Sequence, residues 1–302
     1  MDKESYYNNP NLKKFLSMPI NYVVNKIKYS VQYLSPIKND KYCHRMKYTI
    51  EDYIIGIIQV LNNCISWNRY IGLIKGNTLR KKHNDWVKLG IYDHAYKNIL
   101  NEFLTMEGKT NELKYQSIDS TFIEDVNGNK NSSYSGIYKK KKGSSALGIT
   151  ITSIVTKSGI PISITLNPAN NHDSTLLPLA VQKIMINCNT YRYRNHNRYK
   201  QYFLTDKGYD SKNNMNLLIQ KGYNPLISQN IRNTKDRKLI RNFNIKQKNI
   251  YKNRIKIENY HSWIKKFHKI KFIGERKIDY YMGLLLLAVS IIMSRRIVNK
   301  KT

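Results

Sequence analysis

The chain has 302 residues, 41% hydrophobic and 11% aromatic, enough to bury a core and to hold two domains. Its 52 Lys plus Arg outnumber 20 Asp plus Glu, and the resulting formal charge of +32 is far beyond what solubility needs, so the field draws polyanions, nucleic acid before acidic membrane. The one long apolar run, Met282 to Met293, is too short to span a bilayer, Met1-Asp-Lys-Glu opens no secretory signal, and Cys43, Cys64 and Cys188 are too scattered for a zinc cluster or disulfide framework, so the expectation is a reduced, intracellular protein with no membrane part.

Residues 1 to about 40 are polar and broken by Pro10, Pro19 and Pro36. Thr49 then caps a helical apolar pattern from Ile50, and a second helical block runs from Gly76 to Leu104, with Trp67 and Trp86 as core anchors. Short helices with Gly-bearing turns and basic ends suggest a helix-turn-helix-like DNA-binding region over 1–112, or a plain helical bundle. From Lys114 the text changes to strands. Leu147 to Val155 and Ile160 to Leu166 form a hairpin through Thr-Lys-Ser-Gly159. A helix from Ser174 to Ile186, a strand at Tyr202, a helix from Lys212 to Gln220, a strand from Asn224 to Ile227 and a helix around Glu258 follow. With a strand at Tyr115 the order is βββαβαβα, so the fold class expected over 113–302 is α/β, an RNase H-like mixed sheet.

Acids are scarce enough that their positions are informative. Tyr115-Gln-Ser-Ile-Asp119 reads as a short strand ending in an acid, and Tyr202-Phe-Leu-Thr-Asp206 reads the same way before a Gly-containing turn. Strand ends are where sites form in open sheets. Asp210 stands before a helix and is expected to cap it; Asp173 is read as a cap too, and His172 as a loop histidine. Farther on, Tyr251, Arg254, Glu258 and Lys265 fall on one face if 251–265 is a single helix. Such a stripe can hold a divalent metal at its acid and phosphate on both sides. The simpler reading is an exposed helix with an i,i+4 Arg254/Glu258 ion pair, worth a few tenths of a kcal/mol.

The spacing Tyr251-x2-Arg254-x3-Glu258-x6-Lys265 resembles the signature around the third acid of the DDE transposases of bacterial insertion sequences, the IS4 and IS5 groups. Ser117-Ile-Asp119-Ser-Thr is similar to the first-Asp strand of that family. Lys142 to Ser153 with Lys157-Ser-Gly159-Ile-Pro161 resembles its central hairpin. Asn171-His172-Asp173-Ser174 and Thr205-Asp206-Lys-Gly208-Tyr209-Asp210 resemble its His-Asp and D-x-G-Y-D motifs. Ser66-Trp67-Asn-Arg69 and Asp85-Trp86-Val-Lys-Leu-Gly90 are similar to its N-terminal marks.

This resemblance implies a DNA transposase with Asp119, Asp206 and Glu258 as catalytic acids and ligands of two Mg2+ ions, Mn2+ being a possible substitute. It implies hydrolysis of the phosphodiester at an element end, then attack of the freed 3′-OH on target DNA. Tyr251, Arg254 and Lys265 become contacts to the DNA end. The partners implied are double-stranded DNA, as terminal inverted repeats and target, and a second copy of the chain in the DNA-bound complex. Two other readings stand beside it: a transposase-derived DNA-binding protein without catalysis, and a DDE-fold nuclease without strand transfer. Basic stretches at Lys139–Lys142, Arg192–Lys200 and Arg232–Arg254 either track phosphates, with Tyr and His stacking on unpaired bases, or are solvated loops.

Overall fold

The computed structural model describes residues 2–35, 47–63, 65–125, 128, 130–139, 143–186, 201–230 and 242–301. Cys43, Cys64 and Cys188, Lys140–Lys142, and the basic stretches 192–200 and 232–241 lie outside the described residues. The chain divides into two compact units, residues 1–103 with 264–302, and residues 104–263.

The first unit begins with α1 (Lys3–Asn8), α2 (Pro10–Phe15), α3 (Met18–Leu34), α4 (Ile50–Asn62), α5 (Gly76–Lys88) and α6 (Ile91–Glu107), the last of which runs into the second unit. Thr49 starts α4 through a capping box: its hydroxyl accepts from the Asp52 N–H while the Asp52 carboxylate accepts from the Thr49 N–H. Trp67 and Trp86 are both buried, as their role of core anchors requires. Trp67 Nε1 donates to Glu275 Oε1 at 2.6 Å.

The second unit opens with α7 (Lys109–Glu112) and contains the strands β1 (Tyr115–Asp125), β2 (Ser133–Lys139), β3 (Ser145–Val155), β4 (Pro161–Pro168), β5 (Tyr202–Thr205) and β6 (Asn224–Ile227). Between and after them come α8 (Asp173–Gln182), α9 (Lys212–Gln220), α10 (Ile245–Tyr251) and α11 (Ile255–Ile264). β1 pairs antiparallel with β3, β3 antiparallel with β4, β1 parallel with β5 and β5 parallel with β6. An antiparallel meander thus continues through β1 into two parallel strands reached by helical crossovers, the RNase H-like arrangement. At the β3–β4 turn Gly159 has φ +78°, and a Cβ there would sit 3.0 Å from the Lys256 carbonyl.

Three local expectations are corrected. β1 does not end at Asp119: its pairing with β3 runs from Ser117 to Glu124, so the acid sits mid-strand. β2 is an additional strand, pairing with the first residues of β3. Residues 251–265 are not one helix either. A 3-10 turn, Lys252–Arg254, separates α10 from α11, and Lys265 follows the end of α11.

Returning to the first unit, α12 (His268–Lys271) and α13 (Ile278–Lys301) close the chain. α13 packs on α3, α4 and α5. By length and composition Ile278–Lys300 is apolar enough to cross a membrane, and 78% of its apolar window is buried in the fold. It is the buried helix expected around Met282–Met293, extended at both ends.

Candidate active site

Backbone register sets the first two acids side by side. Tyr115 pairs with Tyr202, Gln116 with Phe203 and Ser117 with Leu204. Asp206 is still extended, with φ −76° and ψ 168°, so continuing that register by two residues brings it level with Asp119. Neighbouring strands are about 4.8 Å apart. The Asp206 Oδ1 accepts from the Lys207 N–H at 2.7 Å, which fixes the carboxylate as the chain turns out of the sheet.

Glu258 arrives from α11. Asp119 stands opposite Ser153 in the β1–β3 pair, so the two side chains share a face of the sheet. On that face Ser153 Oγ meets the hydroxyl of the buried Tyr260 at 3.4 Å. Tyr260 lies two residues beyond Glu258 and anchors α11 to β3. Arg254 joins the acids directly: Nη1 is 3.5 Å from Asp119 Oδ2, and Nη2 is 3.3 Å from Glu258 Oε1. Through one planar guanidinium these two oxygens are held within roughly 9 Å of each other. Arg254 has only 18% of its side chain exposed, against 50% for Glu258. The i,i+4 ion pair expected from sequence is therefore present, but it extends to Asp119.

Burial pushes the Asp119 carboxyl up to about 6, with the Asp173 and Asp206 carboxylates adding to the rise and Arg254 and the Ser120 N–H opposing it. Burial likewise raises Asp173, Asp206 again contributing while a Ser120 hydrogen bond opposes. Crowded carboxylates that resist ionisation are the donor set a hard divalent cation relieves, and this chemistry fits Mg2+ or Mn2+. Among the described residues no three His, Cys, Asp or Glu side chains already converge as a metal cluster. The Arg254 guanidinium stands between Asp119 and Glu258 instead.

Tyr251 stands just before the 3-10 turn. Its hydroxyl donates to the Thr205 carbonyl at 2.9 Å, immediately before Asp206, and its ring packs with Phe243 against Leu204, Leu226 and Ile250. Lys265, past α11, groups with the other compact unit. Burial lowers its ammonium.

Sequence reasoning misread Asp173 and Asp210. Asp173 is the first residue of α8, not its cap, and its carboxylate raises Asp119 while Asp206 raises both. A Cβ on Gly208 would fall 2.8 Å from Asp173 Oδ2, which explains the glycine of the D-x-G-Y-D motif. The same motif's Tyr209 is fully buried, with its hydroxyl 3.0 Å from Ser120 Oγ beneath the acids. Asp210 does not cap α9. Ser211 does, while Asp210 Oδ2 accepts from the Asn230 N–H at 2.9 Å.

The transposase DDE domain family matches residues 114–293. No curated protein matches the chain. Among solved structures, a cryo-EM structure of a piggyBac transposase synaptic complex with hairpin DNA is 10% identical, with 94% of this chain and 75% of that one covered and a TM-score of 0.47. The family match spans more than half of the chain, and the protein belongs to the DDE transposases.

Proposed function

We propose that the chain binds the ends of its own element, cleaves the phosphodiester there with divalent metal held by Asp119, Asp206 and Glu258, and joins the freed 3′-OH to target DNA. The observation that carries this is Arg254 bridging Asp119 and Glu258, with Asp206 just past the end of β5, the strand that pairs with β1. Asp119, Asp206 and Glu258 would hold a pair of Mg2+ ions, whose chemistry there would be Lewis-acid activation of water and stabilisation of the leaving oxygen. The chain's own groups do the rest. The Ser120 and Lys207 N–H groups aim the Asp119 and Asp206 carboxylates. Arg254 would donate hydrogen bonds to a DNA phosphate once metal takes over the charge of Asp119 and Glu258, and Lys265 and Tyr251 are the other contacts assigned to the DNA end. The helical N-terminal region contributes further DNA contacts, two copies act on the paired ends, and the work is done inside the cell, where the DNA is.

The test is cleavage of DNA carrying the sequences that flank the protein's own gene, in Mg2+. Asp206→Asn keeps shape and loses an anionic ligand, so it abolishes cleavage and leaves DNA binding nearly intact. Asp210→Asn, altered at a loop hydrogen bond, spares cleavage and lowers stability by about 1 kcal/mol. Equal loss of cleavage in both folded variants reverses the assignment. Strand joining by the unaltered chain separates a transposase from a nuclease of the same fold.

A further inference from the structure

The β1–β5 ladder ends at the pair Ser117 and Leu204, two residues before Asp119 and two before Asp206, so backbone pairing alone does not fix how far apart these acids stand. Side chains on the other face of β1 close that gap. Successive residues of a strand point to opposite faces, so Ser120 is directed away from the face that Asp119 shares with Ser153. There its Oγ lies 2.8 Å from Thr152 Oγ1 of β3 and 3.0 Å from the Tyr209 hydroxyl, and it also hydrogen-bonds the Asp173 carboxylate. Tyr209 ends the 3-10 turn Lys207–Tyr209, which directly follows Asp206. One hydroxyl next to Asp119 thus touches β3, the turn that carries Asp206 and the first residue of α8.

A hydroxyl has one proton and two lone pairs, and an ionised carboxylate only accepts. Ser120 therefore donates to Asp173, and the Thr152 and Tyr209 hydroxyls both donate to Ser120, which fills it. Thr152 is supplied in turn by Asn167 Nδ2 of β4 at 3.3 Å. The donors run one way, from β4 through β3 and β1 to α8, with Tyr209 joining at Ser120. Thr152 and Tyr209 are fully buried, so water does not replace these bonds. The turn is braced from its far side as well: the buried Asn214 of α9 donates from Nδ2 to the Tyr209 carbonyl at 3.0 Å and to the Ser174 carbonyl at 2.9 Å. We propose that Ser120 and Tyr209 are positioning residues, a latch behind the sheet that sets the separation of Asp119 and Asp206 to one that a metal pair roughly 4 Å apart can bridge. This rests on the assignment of those two acids as metal ligands and adds the groups that hold them at their spacing.

Two measurements on the full chain test it: Mn2+ binding without DNA, followed by the paramagnetic resonance signal of the free ion, and cleavage of the flank-bearing DNA at increasing Mg2+. Tyr209→Phe keeps the buried ring and removes the hydroxyl. Ser120→Ala removes its acceptor and leaves the backbone N–H that aims Asp119. Each is expected to weaken Mn2+ binding about tenfold and to raise the Mg2+ needed for half-maximal cleavage by the same factor, with DNA affinity in EDTA unchanged. The double variant is expected to be no worse than Ser120→Ala alone, because the bond that Tyr209→Phe removes is already gone. Circular dichroism identifies a variant that fails to fold, and the half-buried Ser120 keeps the test available if Tyr209→Phe does. An unchanged metal requirement in the folded variants makes the pair merely structural and overturns the proposal, as does a double variant whose loss is the product of the two single losses. Asp206→Asn, which lacks a ligand, marks the floor of Mn2+ binding in the same assay. Unaltered protein that binds Mn2+ above that floor and cleaves, with variants that match it, sinks the latch alone. Unaltered protein that does neither sinks the metal assignment, and the latch with it.

Discussion

Asp119 is held at an energetic disadvantage. Its carboxyl titrates near 6 because burial and the neighbouring Asp173 and Asp206 oppose its charge, even though Arg254 and a backbone N–H favour it. A folded-state pKa raised above the unfolded value means that the native protein binds the proton more tightly, so this residue's contribution to stability is fully present below about 4 and is lost as pH rises through 6. Two units correspond to roughly 3 kcal/mol, reduced by the 25% of the side chain that water still reaches. Asp119→Asn, which cannot ionise, is therefore expected to stabilise the metal-free protein at pH 7.5 by about 1–3 kcal/mol while abolishing cleavage, and to flatten its stability between pH 4 and 6. Urea unfolding of both proteins across this range in EDTA measures it; a destabilised, pH-independent variant places the strain elsewhere. The same crowding bears on Gly208, since a Cβ there would press on the Asp173 carboxylate and force it to shift.

At the level of elements, the third acid depends on a joint. α10 and α11 meet at a 3-10 turn that turns Arg254 onto Asp119, and Tyr251, just before the turn, ties it to the end of β5. Tyr251→Phe loses the hydrogen bond to Thr205 and keeps the ring packing. The expected result is about 1 kcal/mol of lost stability, severalfold slower cleavage and weaker binding to the element end, where the same phenol is assigned a contact. Lost stability with unaltered affinity makes Tyr251 a positioning group alone. This joint also marks where the sequence stops being legible. Asp119 and Asp206 stand out because acids are rare in so basic a chain and each follows an apolar strand pattern, while Glu258 is singled out by its spacing from Tyr251, Arg254 and Lys265. The break at 252–254 does not stand out, because no Gly or Pro interrupts 251–265 and side-chain periodicity runs through it. Asp173 was misread because a lone acid at a helix start carries the same local signal whether it caps the helix or faces other carboxylates; only the fold of β1 and β5 around it decides. β2 was missed because Gly136 interrupts a short pattern that runs straight into four lysines.

The whole molecule is not divided where the sequence suggests. A boundary at residue 112 follows the change from helical to strand text, but residues 264–302 group with the N-terminal helices, so that unit is assembled from both ends of the chain. The physical reason is α13, buried nearly all round, with Leu284, Leu285, Leu286, Leu287, Ile291 and Ile297 each at most 1% exposed. Burying such a side chain is worth about 1.5–3 kcal/mol, so losing all six forfeits about 9–18 kcal/mol, comparable to the roughly 5–15 kcal/mol by which a domain is normally stable. Polar contacts point the same way. His83 donates from Nε2 to the Tyr280 carbonyl at 2.9 Å and accepts from the Tyr92 hydroxyl at Nδ1 at 3.0 Å, and burial holds this imidazole down at about 4. A fragment ending at residue 112 lacks α13 and both Glu275 and Tyr280, leaving the buried faces of α3, α4 and α5 open to water. It is expected to unfold without a cooperative transition, and its His83 to titrate near the ordinary 6.5, whereas in the full chain His83 stays neutral down to about 4. Urea unfolding and an NMR histidine titration of fragment and full chain decide this. A cooperative fragment with a depressed His83 restores the boundary at 112 and makes α13 an accessory to the N-terminal helices, not a part of their core.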